Sequence, residues 1–218
     1  MLPTPSAAQT AGIPQGILQR SLRGLSLLLA LTGASAASAA PAGFTELNRT
    51  NGCIFYKGNT EANGIQAVRA ECDWEVDPEK VRRLLAKSED HDLYFTTVTK
   101  CDVLSRANGV DRAYQLHEAA GISPREVIID MASEPIPGGR RFTWTRSADQ
   151  TGLTGGGVAV EHNTGKWEVT DKQGGGTHLV YELRYAPGGM VPSFMVRWFQ
   201  GAGTEQLVGE LLSYAKAH

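Results

Sequence analysis

The chain has 218 residues, 41% of them hydrophobic, with 21 lysines and arginines against 23 acids and a net charge of -2. That length makes one ordinary domain with a real core, and no basic patch stands out in the sequence, which argues against a nucleic-acid partner. Three cysteines, Cys53, Cys72 and Cys101, show neither a Cys-x-x-Cys nor a Cys/His spacing, which argues against zinc.

Residues 1–39 read as a secretory signal peptide. Arg20 and Arg23 form a basic start, residues 25–31 an apolar stretch, and Ala37 and Ala39 the small residues that signal peptidase accepts, so cleavage is expected just before Ala40. A transmembrane anchor is the alternative, but the apolar run falls far short of the roughly 18 residues that a bilayer needs. Export would place the mature domain, residues 40–218, in the periplasm or outside the cell. Residues 1–39 hold two arginines and no acid, which leaves 19 basic against 23 acidic side chains, a net -4. An oxidising compartment permits a disulfide and leaves one of the three thiols over. Asn48-Arg49-Thr50 is a glycosylation sequon, of consequence only in a eukaryotic secretory route.

After a short lead containing Phe44 and Leu47, residues 53–56 and 65–74 read as strands around a turn at Glu61-Ala62-Asn63-Gly64. Cys53 and Cys72 flank that turn almost symmetrically. Either they bridge across a hairpin, or the three thiols are buried separately. Asp77-Pro78-Glu79-Lys80 starts a helix: an N-cap aspartate, proline at the first position and glutamate in the first turn. Val81, Leu84 and Leu85 follow at helical spacing, and the helix fades near Ser88-Glu89-Asp90. A second helical turn is expected over 92–96.

Strands then dominate. Residues 98–106 and 112–118 bracket Asn108-Gly109, the favoured two-residue hairpin signal. Residues 125–132 and 141–146 bracket a turn at 135–139, and 158–162 and 166–170 bracket Asn163-Thr164-Gly165. Residues 177–185 form the last strand. From Val191 one long helix is expected, carrying Phe194, Met195 and Trp198, then Leu207, Val208, Leu211, Leu212 and Ala215. Helices that interrupt the strands once and then close the chain fit neither a sandwich nor a doubly wound sheet. The expected class is α+β, a curved antiparallel sheet wrapped around a long C-terminal helix in a helix-grip arrangement.

Alternation assigns the sheet face that meets this helix. Val127, Ile129 and Met131 share it with Arg125; Phe142 and Trp144 share it, as do Leu179, Tyr181, Leu183 and Tyr185. Such large side chains either fill a core or line an oily void. The residues expected to line a void are Arg125, Val127, Ile129, Met131, Phe142, Trp144, Leu179, Tyr181 and Leu183 from the sheet, with Met195 and Trp198 from the helix. Polar anchors would come from Arg125, Tyr181 or Tyr185. Arg125 is either an interior anchor or the partner of a neighbouring carboxylate at the sheet edge. Gly201-Ala202-Gly203 interrupts the final helix, each glycine costing about 1 kcal/mol relative to alanine. It marks either a gate or an ordinary break between two helical pieces.

Catalytic motifs do not assemble. His117-Glu118-Ala119-Ala120-Gly121 begins like a zinc-protease helix but lacks the second histidine. His117 lies on the Gln115 side of its strand, opposite Tyr114 and Leu116, and reads as solvated. Gly165-Lys166 lacks the remainder of a phosphate loop, and no Gly-x-Ser-x-Gly elbow occurs.

Ser123-Pro124-Arg125-Glu126-Val127 resembles the Ser-Pro-Arg-Asp-Phe strand signature of START lipid-transfer domains. The strand around Trp167, the strand over 177–185 and Gly188-Gly189-Met190-Val191-Pro192 resemble that family's approach to its C-terminal helix, over roughly residues 65 to 217 in all. Glu126 stands where the signature has aspartate and Val127 where it has phenylalanine, and the resemblance implies a salt bridge for that acid. The resemblance implies a tunnel between sheet and final helix that carries a lipid or a sterol- or quinone-like molecule. It implies a monomer without a cofactor or nucleic-acid partner, making transient contact with a membrane, and a binding protein rather than a catalyst. The wider superfamily also holds polyketide cyclases, so a cyclase- or hydrolase-like enzyme is the alternative, and an interaction module with a filled core a third.

Overall fold

The structure is a computed structural model and describes residues 39–199 and 201–218. The expected signal peptide lies outside the described residues, but for its last position. Ten strands form one sheet: β1 (Phe44–Thr50), β2 (Cys53–Thr60), β3 (Gln66–Trp74), β4 (Val98–Ala107), β5 (Val110–His117), β6 (Arg125–Ile136), β7 (Gly139–Arg146), β8 (Val158–Ala159), β9 (His162–Asp171) and β10 (Thr177–Ala186). Their order across the sheet is β1-β2-β3-β10-β9-β7-β6-β5-β4, antiparallel throughout, while β8 pairs in parallel with β6. Between β3 and β4 lie α1 (Pro78–Leu85), a 3-10 turn (Ser88–Asp90) and α2 (His91–Tyr94); α3 (Ser193–Phe199) and α4 (Ala202–Ala217) close the chain.

Local chemistry explains most of these elements. The Asp77 carboxylate accepts the Glu79 N–H at 2.9 Å with Pro78 in the first turn of α1, so the first free N–H groups of the helix are satisfied. Asn108 and Gly109 both take positive φ, 53° and 76°, as a tight hairpin turn of that hand demands. Cys53 and Cys72 face each other directly across β2 and β3, with their Sγ atoms 2.05 Å apart in a disulfide. Cys101 is the remaining thiol; it is buried and hydrogen-bonded to the Ser88 carbonyl at 2.9 Å. Burial pushes its pKa up to about 11, so it is not a nucleophile at neutral pH.

One face of the sheet carries a continuous core. Val68, Ala70 and Cys72 of β3, Leu179 and Tyr181 of β10, Trp167 and Val169 of β9, and Phe142 and Trp144 of β7 meet Val81 and Leu85 of α1 and Val208, Leu211 and Ala215 of α4. The alternation read from the sequence in β6, β7 and β10 is the alternation that builds this face.

Four features differ from expectation. The lead before Cys53 is a full strand, β1; its Glu46 and Arg49 bond each other at 2.7 Å on an exposed edge, where charge rather than alternation is usual. β9 runs unbroken through Asn163-Thr164-Gly165, so that segment is no turn. Gly165 is there because the Trp144 indole lies over it: a Cβ would stand 2.2 Å from Trp144 Cζ2 and 2.6 Å from the Glu182 carbonyl oxygen. The β6–β7 turn is tighter than expected, with both strands extending to Ile136 and Gly139. The final helix is two pieces, α3 and α4, rather than one.

Gly165→Ala is therefore expected to drive Trp144 off its seat and to break its Nε1–H bond to Asn163 Oδ1, 2.8 Å long. The cost is about 2 kcal/mol of stability, as for other overpacked sites. Urea unfolding checks it, and an unchanged midpoint would mean that the indole has room to spare.

Candidate functional site

A cavity of about 130 Å³ opens between the sheet and the α3–α4 pair. Its floor is Ile129 and Met131 of β6, Trp144 of β7, Trp167 of β9, and Tyr181 and Leu183 of β10. Its roof is Trp198 and Phe199 of α3 with Thr204 and Leu207 of α4. Glu118, Ala119 and Ile122 of the β5–β6 loop complete one side. The aromatic rings brace one another: Trp167 lies 4.2 Å from Tyr181 and stacks on Phe95 at 6.2 Å, and Tyr185 meets Phe199 at 5.4 Å, centroid to centroid.

The structure brings seven of the eleven expected lining residues to this space: Arg125, Ile129, Met131, Trp144, Tyr181, Leu183 and Trp198. Val127, Phe142 and Leu179 are instead packed into the continuous core, beside the cavity rather than on it. Met195 of α3 is buried but does not reach the cavity either. These four correct the expectation. Alternation identifies the face of a residue but not whether its neighbours leave it a free surface.

One wall is polar. The Tyr185 hydroxyl lies 3.3 Å from His117 Nδ1, His117 Nε2 lies 3.0 Å from Gln115 Oε1, and Gln115 Nε2 lies 3.4 Å from His91 Nδ1 and donates to Cys101 Sγ at 3.5 Å. Because Gln115 Oε1 accepts, the proton of His117 sits on Nε2 and Nδ1 takes the tyrosine proton. Burial drives both histidines down to about 4 and raises Tyr181 and Tyr185, so every member of the wall is neutral at pH 7. His117 is thus no solvated residue: it and Gln115 face inward, and sequence reading missed them together with His91, Phe95 and Trp167.

Arg125 and Glu126 part company at the start of β6. Arg125 turns inward, 3% exposed, and lines the cavity. Its guanidinium donates to the carbonyls of Ser123 and, at 3.5 Å, of Gly188. Glu126, 2% exposed on the other face, makes no salt bridge among the described residues. Its carboxylate accepts the Thr154 N–H at 2.9 Å, the Thr154 hydroxyl at 3.0 Å, the Gly155 N–H at 2.9 Å and the Tyr114 hydroxyl at 3.3 Å. Burial raises its pKa, but these hydrogen bonds together outweigh burial and hold it below the ordinary value. The acid pins the loop after β7 over the outer face of β6, where the Gln150 side chain also bonds both the N–H and the carbonyl of Ile128.

Among the described residues no cluster of acids, histidines and cysteines could hold a metal ion. No protein-family model matches the sequence, and no curated protein does. Solved structures do share the fold. A STAR-related lipid transfer protein from Xanthomonas axonopodis is 18% identical with a TM-score of 0.71, over 80% of this chain and 99% of that one. Human StAR-related lipid transfer protein 5 is 16% identical with a TM-score of 0.72, over 82% and 88%. The Zhui aromatase/cyclase from a Streptomyces species is 14% identical with a TM-score of 0.54, over 70% and 94%. The architecture is the START helix-grip fold.

Proposed function

We propose that this protein is exported and binds a lipid or another apolar small molecule in the cavity beneath α3 and α4, carrying it through water. One observation supports this most: an aromatic and aliphatic hollow, with a few polar groups on one wall, is the usual form of a small-molecule site. Its 130 Å³ is close to the roughly 150 Å³ engineered cavity that takes up benzene. A ring or short chain fits as it stands. A whole sterol or acyl chain requires the roof to lift, and the break between α3 and α4 is where it would do so. Met190, 97% exposed, precedes α3, and Phe194, 54% exposed, lies in its first turn and approaches Gly121 of the β5–β6 loop. Two bare apolar side chains beside the roof suit brief contact with a membrane.

The test is to extract protein purified from its native host and to identify what is released by mass spectrometry. A stoichiometric apolar compound is expected, and adding it back to stripped protein should raise the melting temperature, since ligand at a hundred times Kd contributes about 2.7 kcal/mol. An empty extract, with no shift on adding fatty acids, sterols or quinones, would overturn the reading. The intact mass of the same preparation tests export, which requires a chain beginning at Ala40. A cyclase-type reading draws on the Tyr185–His117–Gln115–His91 chain, and chemical conversion of the bound compound would favour it.

A further inference from the structure

We infer that the ligand carries an anionic head group, a carboxylate or its equivalent, and that Arg125 holds it. The inference rests on the reading that the cavity takes a ligand at all. A guanidinium presents five N–H donors. Arg125 spends two of its hydrogen bonds on main-chain carbonyls, at Ser123 and Gly188, and its buried Nε has no partner. Among the described residues no carboxylate lies within salt-bridge distance of it, unlike Arg69 on β3, which pairs with Glu71 and Glu182. A buried cation without a counter-charge is costly, and proteins remove the cost with a partner or leave the group at the surface.

Here the fold buries the cation and leaves open space beside it. Among the described residues Glu118 is the one carboxylate on the cavity lining, and it is exposed on the β5–β6 loop and makes no ion pair. Of the polar groups that line the cavity with Arg125, His117, its register partner on β5, and Tyr185 are spent on each other and carry no charge. An uncharged ligand would fill the hollow and leave the cation unpaired. A carboxylate would complete it with a two-pronged, charge-assisted bond while its apolar body lay along Ile129, Leu183 and Trp144. The cavity size adds a second restriction: the part of the ligand nearest the head is compact, such as an aryl ring or a short chain.

Calorimetry with matched probes tests this. 4-Phenylbutyrate should bind the stripped protein about tenfold or more tightly than 4-phenylbutanol, and decanoate than 1-decanol. Arg125→Gln should bring each acid down toward its alcohol. Equal affinity of acid and alcohol for the unmutated protein would overturn the anionic head while leaving an apolar ligand in place. Absence of binding by all four, with an empty native extract, would overturn both. Acid preference that survives in Arg125→Gln would remove Arg125 from the site. If that variant does not fold, the guanidinium Nε–H resonances of the unmutated protein decide: one should shift with 4-phenylbutyrate and none with 4-phenylbutanol, and the absence of any shift with the acid counts against Arg125.

Discussion

Glu126→Ala is expected to lower the unfolding free energy by about 3 kcal/mol, a large share of the stability of an ordinary domain. The side chain itself buries little apolar surface; the loss arises from what it leaves behind. Two backbone N–H groups, at Thr154 and Gly155, and two hydroxyls, of Thr154 and Tyr114, all lose the same acceptor. Glu126→Gln should cost about half as much, because one amide oxygen can still serve the Thr154 side while its NH2 meets the Gly155 N–H, donor against donor. The folded carboxyl titrates below the ordinary value of 4.5, so its contribution is complete above that pH and is lost as pH falls through the folded value. Denaturant midpoints between pH 3 and pH 7 would reveal the order and the slope. A Gln variant as sensitive to acid as the parent would show that other carboxylates set the acid limit.

The second large effect belongs to the Cys53–Cys72 bridge. It joins residues 19 apart in sequence, and on the chain-entropy view a loop of that size contributes about 3 kcal/mol by restricting the unfolded chain. Replacing both cysteines with serine should move the urea midpoint down by about 1–2 M, and dithiothreitol should do the same to the parent and nothing to the variant. Cys101 lies elsewhere in the core, which makes the comparison clean. Equal midpoints for the oxidised parent and the double variant would mean that the β2–β3 ladder holds as firmly without the bridge.

Much of the architecture was legible because it rests on local chemistry: the Asp77 cap, the Asn108-Gly109 turn, the alternation along β6, β7 and β10. What could not be read depends on contacts far off in sequence. Gly165 reads as a turn residue until Trp144 is known to lie upon it. The polar cavity wall was hidden by a bulge. Counting back from the Asn108-Gly109 turn without interruption sets Cys101 opposite Leu116, and so turns Tyr114 and Leu116 inward. The irregularity between Val103 and Ser105 moves Cys101 opposite Gln115 and exchanges the two faces, which brings Gln115 and His117 inside. Tyr114 then lies outward, where it meets Glu126 under the loop after β7. Six of the seven expected cavity residues followed from strand alternation and Trp198 from helical spacing; the neutral wall required the register.

The position of β10 bears on the order of events during synthesis. It is the last of the ten described strands in chain order, yet it sits between β3 and β9, pairing Thr177 with Trp74 on one side and with Asp171 on the other. Until it emerges from the ribosome, the first three strands and the later six are two half-sheets, each with a raw edge open to any passing strand. Closing the sheet must therefore wait for β10, and pairing across a hundred residues is slow. In the interval those two edges are the places where the unfinished sheet is open to aggregation.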